Sequence, residues 1–146
     1  MEARNLFKHR HDNLIAYIRT KINYLPIEKI HYLIYFINKL STHNSGCPIF
    51  DVNCYYENGQ IKTDYIKNEV VFDNGELSPF EYSIINKVIN DYGSMRTNEM
   101  ELIINYDKLP NGIVGLKQFI THEDSEMLKY RLGMYDLYIE EHINIK

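Results

Sequence analysis

Apolar residues recur at helical spacing towards both ends of the chain and give way to strand-like runs in the middle. Leu14, Ile15, Ile18 and Ile22 lie three and four apart and form one stripe. That stripe predicts a first helix starting near Asp12 or Asn13, either of which is a residue type that caps helices. It should stop before Leu25-Pro26, because the residue ahead of a proline is pushed out of the helical region. Pro26 favours a new first turn. Ile27, Ile30, Leu33, Ile34, Ile37 and Leu40 then repeat at three and four residues, with Tyr32, Tyr35 and Phe36 widening the apolar surface. A helix apolar around most of its circumference belongs at the centre of a bundle. The run from Ser41 to Gly46 ends it.

Ile49, Phe50, Val52, Cys54, Tyr55 and Tyr56 read as strand and lead into Asn58-Gly59, the pair of residues a type I′ hairpin turn favours. Residues 60–66 return as the second strand. Glu69-Val70-Val71-Phe72 followed by Asp73-Asn74-Gly75 predicts a third short strand and turn. Ser78-Pro79 with Glu81 three residues after the serine is a capping box for a third helix. Ile84, Ile85, Val88, Ile89 and Tyr92 form its inner face, and Gly93 its stop. Thr97 is placed to cap a short fourth helix holding Met100, Leu102, Ile103 and Ile104, and 108–112 is a turn. A last helix is expected from about residue 121 or 124 to 144, with Leu128, Leu132, Tyr135, Ile139 and His142 inward. The expected fold is mainly α (α+β): a single-domain bundle of about five helices with a small antiparallel β-ribbon between the second and third. At 146 residues one domain is the default.

Composition adds constraints. Hydrophobic residues make up 45% and charged residues 25%, an ordinary globular balance. No apolar run reaches membrane-spanning length, and no secretory signal pattern opens the chain, so a cytoplasmic address is expected. Net charge is −4, split between +4 for residues 1–50 and −8 for the remainder. An acidic body suits a basic protein partner better than a phosphate backbone. The cluster Lys8-His9-Arg10-His11 reads as a solvated tip, with a nucleic-acid contact as the alternative. Twenty Ile, 15 Asn and 13 Tyr with no Trp reflect an A/T-rich coding sequence.

Catalytic signatures do not assemble. There is no phosphate loop and no GxSxG elbow; Asn111-Gly112-Ile113-Val114-Gly115 reads as a plain turn. His9 and His11 form an isolated HxH without further metal ligands. His31 beside the apolar stripe reads as a half-buried, hydrogen-bonded histidine. Cys47 and Cys54 are seven apart, which is no metal or redox spacing, and read as two buried thiols. His43 precedes Cys47 by four without a third orienting group. No catalytic residue, metal or cofactor is therefore expected. The tyrosines are more informative. Tyr35, Tyr55, Tyr56, Tyr65 and Tyr106 belong to a set too large to be wholly interior, and tyrosine is enriched at protein interfaces.

Several segments occur in a telling order. Residues 25–36, LPIEKIHYLIYF, resemble the "LKLQKLLYFA" helix that opens Panacea (SocA-like antitoxin) domains. Gly46-Cys47-Pro48-Ile49-Phe50-Asp51 is similar to their "GKPLFDE" turn. Residues 55–61, YYENGQI, sit where the family has "YGPV", with Gly59 keeping the glycine and Gln60 in the proline's place. Residues 77–81 and 88–93 resemble the next helix, which ends "YG". Residues 97–110 resemble the following short helix, and the family's histidine position falls near Tyr106 or Asp107. The similarity spans roughly residues 25–112. It implies a mostly helical, non-catalytic module that binds and neutralises a toxin or host protein. It adds Gly59 and Asp107 to the candidate partner-binding tyrosines. The alternatives are a phage- or mobile-element-encoded inhibitor whose acidic surface imitates nucleic acid, and a nucleic-acid-binding regulator. Self-association of the chain is compatible with each.

Overall fold

The computed structural model describes residues 3–115, with side chains from His9 onward. Four helices and a three-stranded sheet make up these residues: α1 (Ala3–Lys21), α2 (Ile27–Ser45), β1 (Cys54–Glu57), β2 (Gln60–Thr63), α3 (Pro79–Tyr92), α4 (Thr97–Tyr106) and β3 (Gly112–Ile113). The helix expected from about residue 121 to 144 lies outside the described residues.

The α2 helix is the axis. Pro26 stands at its N-cap in extended conformation, and Gly46 closes it at φ 83°, a left-handed value that a residue with a Cβ rarely adopts. Its residues from Tyr32 to Thr42 are all buried, and it packs against α3, β2 and α4. Polar residues inside this run have partners. Asn38 is 1% exposed and clamps the incoming loop. Its Oδ1 accepts from the N–H groups of Ile49 (3.1 Å) and Phe50 (2.8 Å), and its Nδ2 donates to the Phe50 carbonyl (3.0 Å). Phe36 stacks on Tyr92 of α3 at 4.0 Å between ring centroids.

The predicted hairpin forms, shorter than expected. Asn58 and Gly59 take φ of 51° and 82°, as a type I′ turn needs, and Glu57 pairs with Gln60 across it. The third strand is not the predicted 69–72. It is β3, expected as a turn, which pairs antiparallel with β1 so that the order is β2-β1-β3. Tyr65 and Asp73, towards the two ends of the segment between β2 and α3, are held by α1 instead. The Tyr65 hydroxyl donates to Asp12 (2.8 Å). The Asn13 side chain takes the Asp73 N–H (2.7 Å) and donates to its carbonyl (2.8 Å).

That pairing also explains why α1 does not begin at Asp12 or Asn13. Both are interior helical residues, 2% and 1% exposed, whose side chains reach sideways to tertiary partners. The α3 capping box forms as predicted: Ser78 Oγ accepts from Glu81 N–H, and Glu81 returns a bond to Ser78 N–H. Gly93 ends α3 in right-handed conformation, and a Cβ there would lie 2.4 Å from the Ile89 carbonyl oxygen. The cap of α4 is Arg96, one residue before the expected Thr97, with Glu99 accepting from the Arg96 N–H at 2.9 Å. One apolar cluster joins α1, α2, the sheet, α3 and α4.

Candidate functional site

The candidate residues converge where the last turn of α4 meets α2 and the hairpin. Asp107 follows α4 as its C-cap, and its side chain turns inward. Tyr35 and Lys39 lie four apart on α2 and therefore share a face. The Tyr35 hydroxyl donates to Asp107 Oδ2, and Lys39 Nζ approaches the same oxygen at 2.7 Å. The Lys39 and Asp107 side chains are 4% and 3% exposed, so this is a buried ion pair carrying a phenol. Lys39 Nζ also lies 5.7 Å from the Tyr35 ring centroid. Asp107 Oδ1 is buried without a hydrogen-bond partner among the described residues. Burial, and after it the Asp107 carboxylate, pushes the Tyr35 phenol well above its usual range. Tyr35 is therefore a fixed donor at neutral pH, and the cluster fastens α4 onto α2.

A second contact lies outside the first. Tyr56 on β1 donates to Asn105 Oδ1 at 2.5 Å. Gly59 at the hairpin tip brings its backbone so close to α4 that a Cβ there would sit 3.3 Å from the Asn105 amide. Tyr55 and Tyr56 pair with Ile113 and Gly112 of β3 and are half-buried. Leu102 and Tyr106, one turn apart on α4, are 72% and 40% exposed, and Ile113 on the sheet's edge strand is 62% exposed.

Tyr35, Tyr56, Gly59 and Asp107 thus meet at one junction; Tyr55 lies on the opposite face of β1, and Tyr106 stands exposed on α4. The side chains of Tyr35 and Asp107 lie in the interior and fasten α4 to α2. Tyr65 is interior as well. It is 6% exposed, lies against α1, and its phenol is raised by burial and by the bond to Asp12. Sequence reasoning missed Lys39, Leu102, Asn105 and Ile113. A lysine inside an apolar helix was a usable signal for a buried carboxylate partner. So was the run Leu102-Ile103-Ile104, since three consecutive residues span more of a helix's circumference than the apolar stripe of a helix packed on one side.

No protein family matches this chain, and no curated protein or solved structure matches it.

The basic N-terminal cluster is not a free tip where its side chains are described. Arg10 pairs with the Glu81 carboxylate and donates to the Glu76 carbonyl at 3.2 Å. His11 is 5% exposed and packs against Phe50. His9 alone faces solvent, 3.4 Å from Glu76. His31 is half-buried and bonded to Thr63, as expected.

The cysteines differ from the expectation of two buried thiols: Cys54 is buried and Cys47 exposed. Burial, and then Asp64, pushes the Cys54 thiol up to about 12, so it is protonated at neutral pH. Two hollows of about 590 and 460 Å³ lie on either side of Phe80, between α2 and α3. Cys47 lines the first and His43 the second, so the fold does not gather them around one hollow. Among the described residues, no group of three His, Cys, Asp or Glu side chains is placed to hold a metal, and no helix is long and apolar enough to cross a membrane.

Proposed function

We propose that this chain is a protein-binding module similar in kind to Panacea antitoxins, acting by stoichiometric contact with a toxin or host protein. One observation carries the reading. Leu102 and Tyr106 stand exposed one turn apart on α4, the helix that Lys39–Asp107, Tyr35 and Tyr56–Asn105 fasten to α2 and the hairpin. Large apolar and aromatic side chains on a preorganised support are what protein interfaces use as anchors. The acidic character of residues 51–146 favours a basic partner.

Affinity capture with the tagged chain in an A/T-rich bacterial host, followed by mass spectrometry, tests this. The wild type should retain a partner at fixed stoichiometry. The double variant Leu102→Asp/Tyr106→Ala should lose it while unfolding within about 0.5 kcal/mol of the wild type, since both positions are surface ones. Recovery of no partner, or equal recovery by both chains, would sink the reading. A toxin gene beside the coding sequence favours an antitoxin; a phage early region favours an inhibitor of a host enzyme. A nucleic-acid-binding role has less behind it, because Arg10 is held by Glu81 and His11 by Asp51.

A further inference from the structure

The stem of the β1–β2 hairpin is attached to the helices through two histidine nitrogens. On the incoming side, Asp51 N–H donates to His11 Nε2 of α1 at 3.0 Å. On the outgoing side, Thr63 N–H donates to His31 Nδ1 of α2 at 3.2 Å, and the Thr63 hydroxyl lies 2.8 Å from the same nitrogen. A ring nitrogen accepts a hydrogen bond only while it carries no proton. The Asp51 bond therefore requires a neutral ring; at His31 a proton on Nδ1 would be donated to the Thr63 hydroxyl and would leave the Thr63 N–H without its acceptor. A proton on either accepting nitrogen would place an N–H against a backbone N–H.

We propose that His11 and His31 form an acid-sensitive fastening that holds hairpin residues 51–64 to α1 and α2 at neutral pH and loosens them together when both rings are protonated. The inference concerns the hairpin's own attachment and does not depend on the partner-binding reading.

The flanking contacts confine the effect. Asn38 fixes Ile49 and Phe50 just before the stem with bonds that do not titrate in this range. The Tyr65 hydroxyl is fixed on Asp12 just after it. Within the hairpin, Asn53 and Asp64 bind each other through Asn53 N–H to Asp64 Oδ1 (2.9 Å) and Asn53 Nδ2 to Oδ2 (3.1 Å). The hairpin has further attachments, Tyr56 to Asn105, β1 to β3, and Cys54 and Ile61 in the apolar cluster, so loss of the histidine bonds loosens it without detaching it.

The charged groups facing each ring pull in opposite directions. Asp51, Asp12 and Asp64 favour a proton on His11 and Arg10 opposes it; Glu28 favours one on His31 and Lys62 opposes it. Burial outweighs these and holds both rings below their ordinary value of 6.5. The attachment is therefore fully present above that value and lost as pH falls through the folded-state values.

Amide hydrogen exchange on the full chain between about pH 7.5 and about pH 5, corrected for intrinsic rates, tests this. Protection of the Cys54–Thr63 amides should fall about tenfold more than that of α2 and α3 amides. In the double variant His11→Gln/His31→Asn, side-chain carbonyl oxygens replace Nε2 and Nδ1 as acceptors that do not titrate. Protection at neutral pH should persist there and the acid response should vanish. Parallel loss in hairpin and helices, or an unchanged acid response in the variant, overturns the proposal. If the variant does not fold, histidine NMR titration of the wild type decides. Both rings should titrate below 6.5 in step with hairpin amide shifts. Titration of the rings without those shifts overturns it.

Discussion

Asp107 sits where a single charge has the largest structural consequence. Its carboxylate is buried against Lys39 and the Tyr35 hydroxyl, so removing it takes away the carboxylate that lies 2.7 Å from a buried ammonium. Asp107→Asn should cost about 3–5 kcal/mol in urea unfolding, whereas Lys39→Met/Asp107→Leu should cost far less because both members of the buried pair are replaced together. Gly59 is constrained differently. Its φ of 82° is strained for any residue with a Cβ, and the added atom would press on Asn105. Gly59→Ala should lower stability by about 1–2 kcal/mol, read as a drop in melting temperature. The two cysteines offer a direct check on burial. A thiol reagent should modify Cys47 rapidly in the native protein and Cys54 only on unfolding.

Among the elements, α2 and α3 were the most legible in the sequence because local and global preferences agree in them. An apolar repeat follows Pro26, and a complete capping box follows Leu77. Ser78→Ala should destabilise the fold by about 1 kcal/mol by chemical denaturation. The start of α1 was hidden because Asp12 and Asn13, residues that often cap helices, serve as lateral clamps on Tyr65 and Asp73. The run 69–72 has strand-like side chains, yet its neighbour Asp73 is held by an asparagine side chain and its own Phe72 packs on Tyr17. Two residues of β3 carry no strand signal of their own; they pair with β1 because α4 delivers them there. The junction was half legible. The hairpin turn and the tyrosines could be named from sequence, but which tyrosines face inward is decided by Lys39, Asp12 and Asp107, far apart in the chain.

At the level of the whole molecule, the described residues form an axis helix with a small sheet and three further helices, joined in one apolar cluster and pinned by isolated polar contacts. Such a body should respond to acid in a defined direction. His11 and His31 are both held below 6.5 by burial, so the unfolded chain binds their protons more readily. Global stability should decline as pH drops below that value, and the double variant His11→Gln/His31→Asn should flatten the decline in urea unfolding series.

The strand order carries a further consequence for synthesis. The central strand finds its first neighbour six residues after its own start, in Gln60, but its second only at Gly112, beyond two intervening helices. During translation the far side of that strand therefore stays bare until most of the chain has emerged. Throughout that interval it offers an unprotected edge to other nascent chains. A ribosome stalled before Gly112 would release a polypeptide with this edge permanently open, and such fragments should aggregate where the full-length product does not.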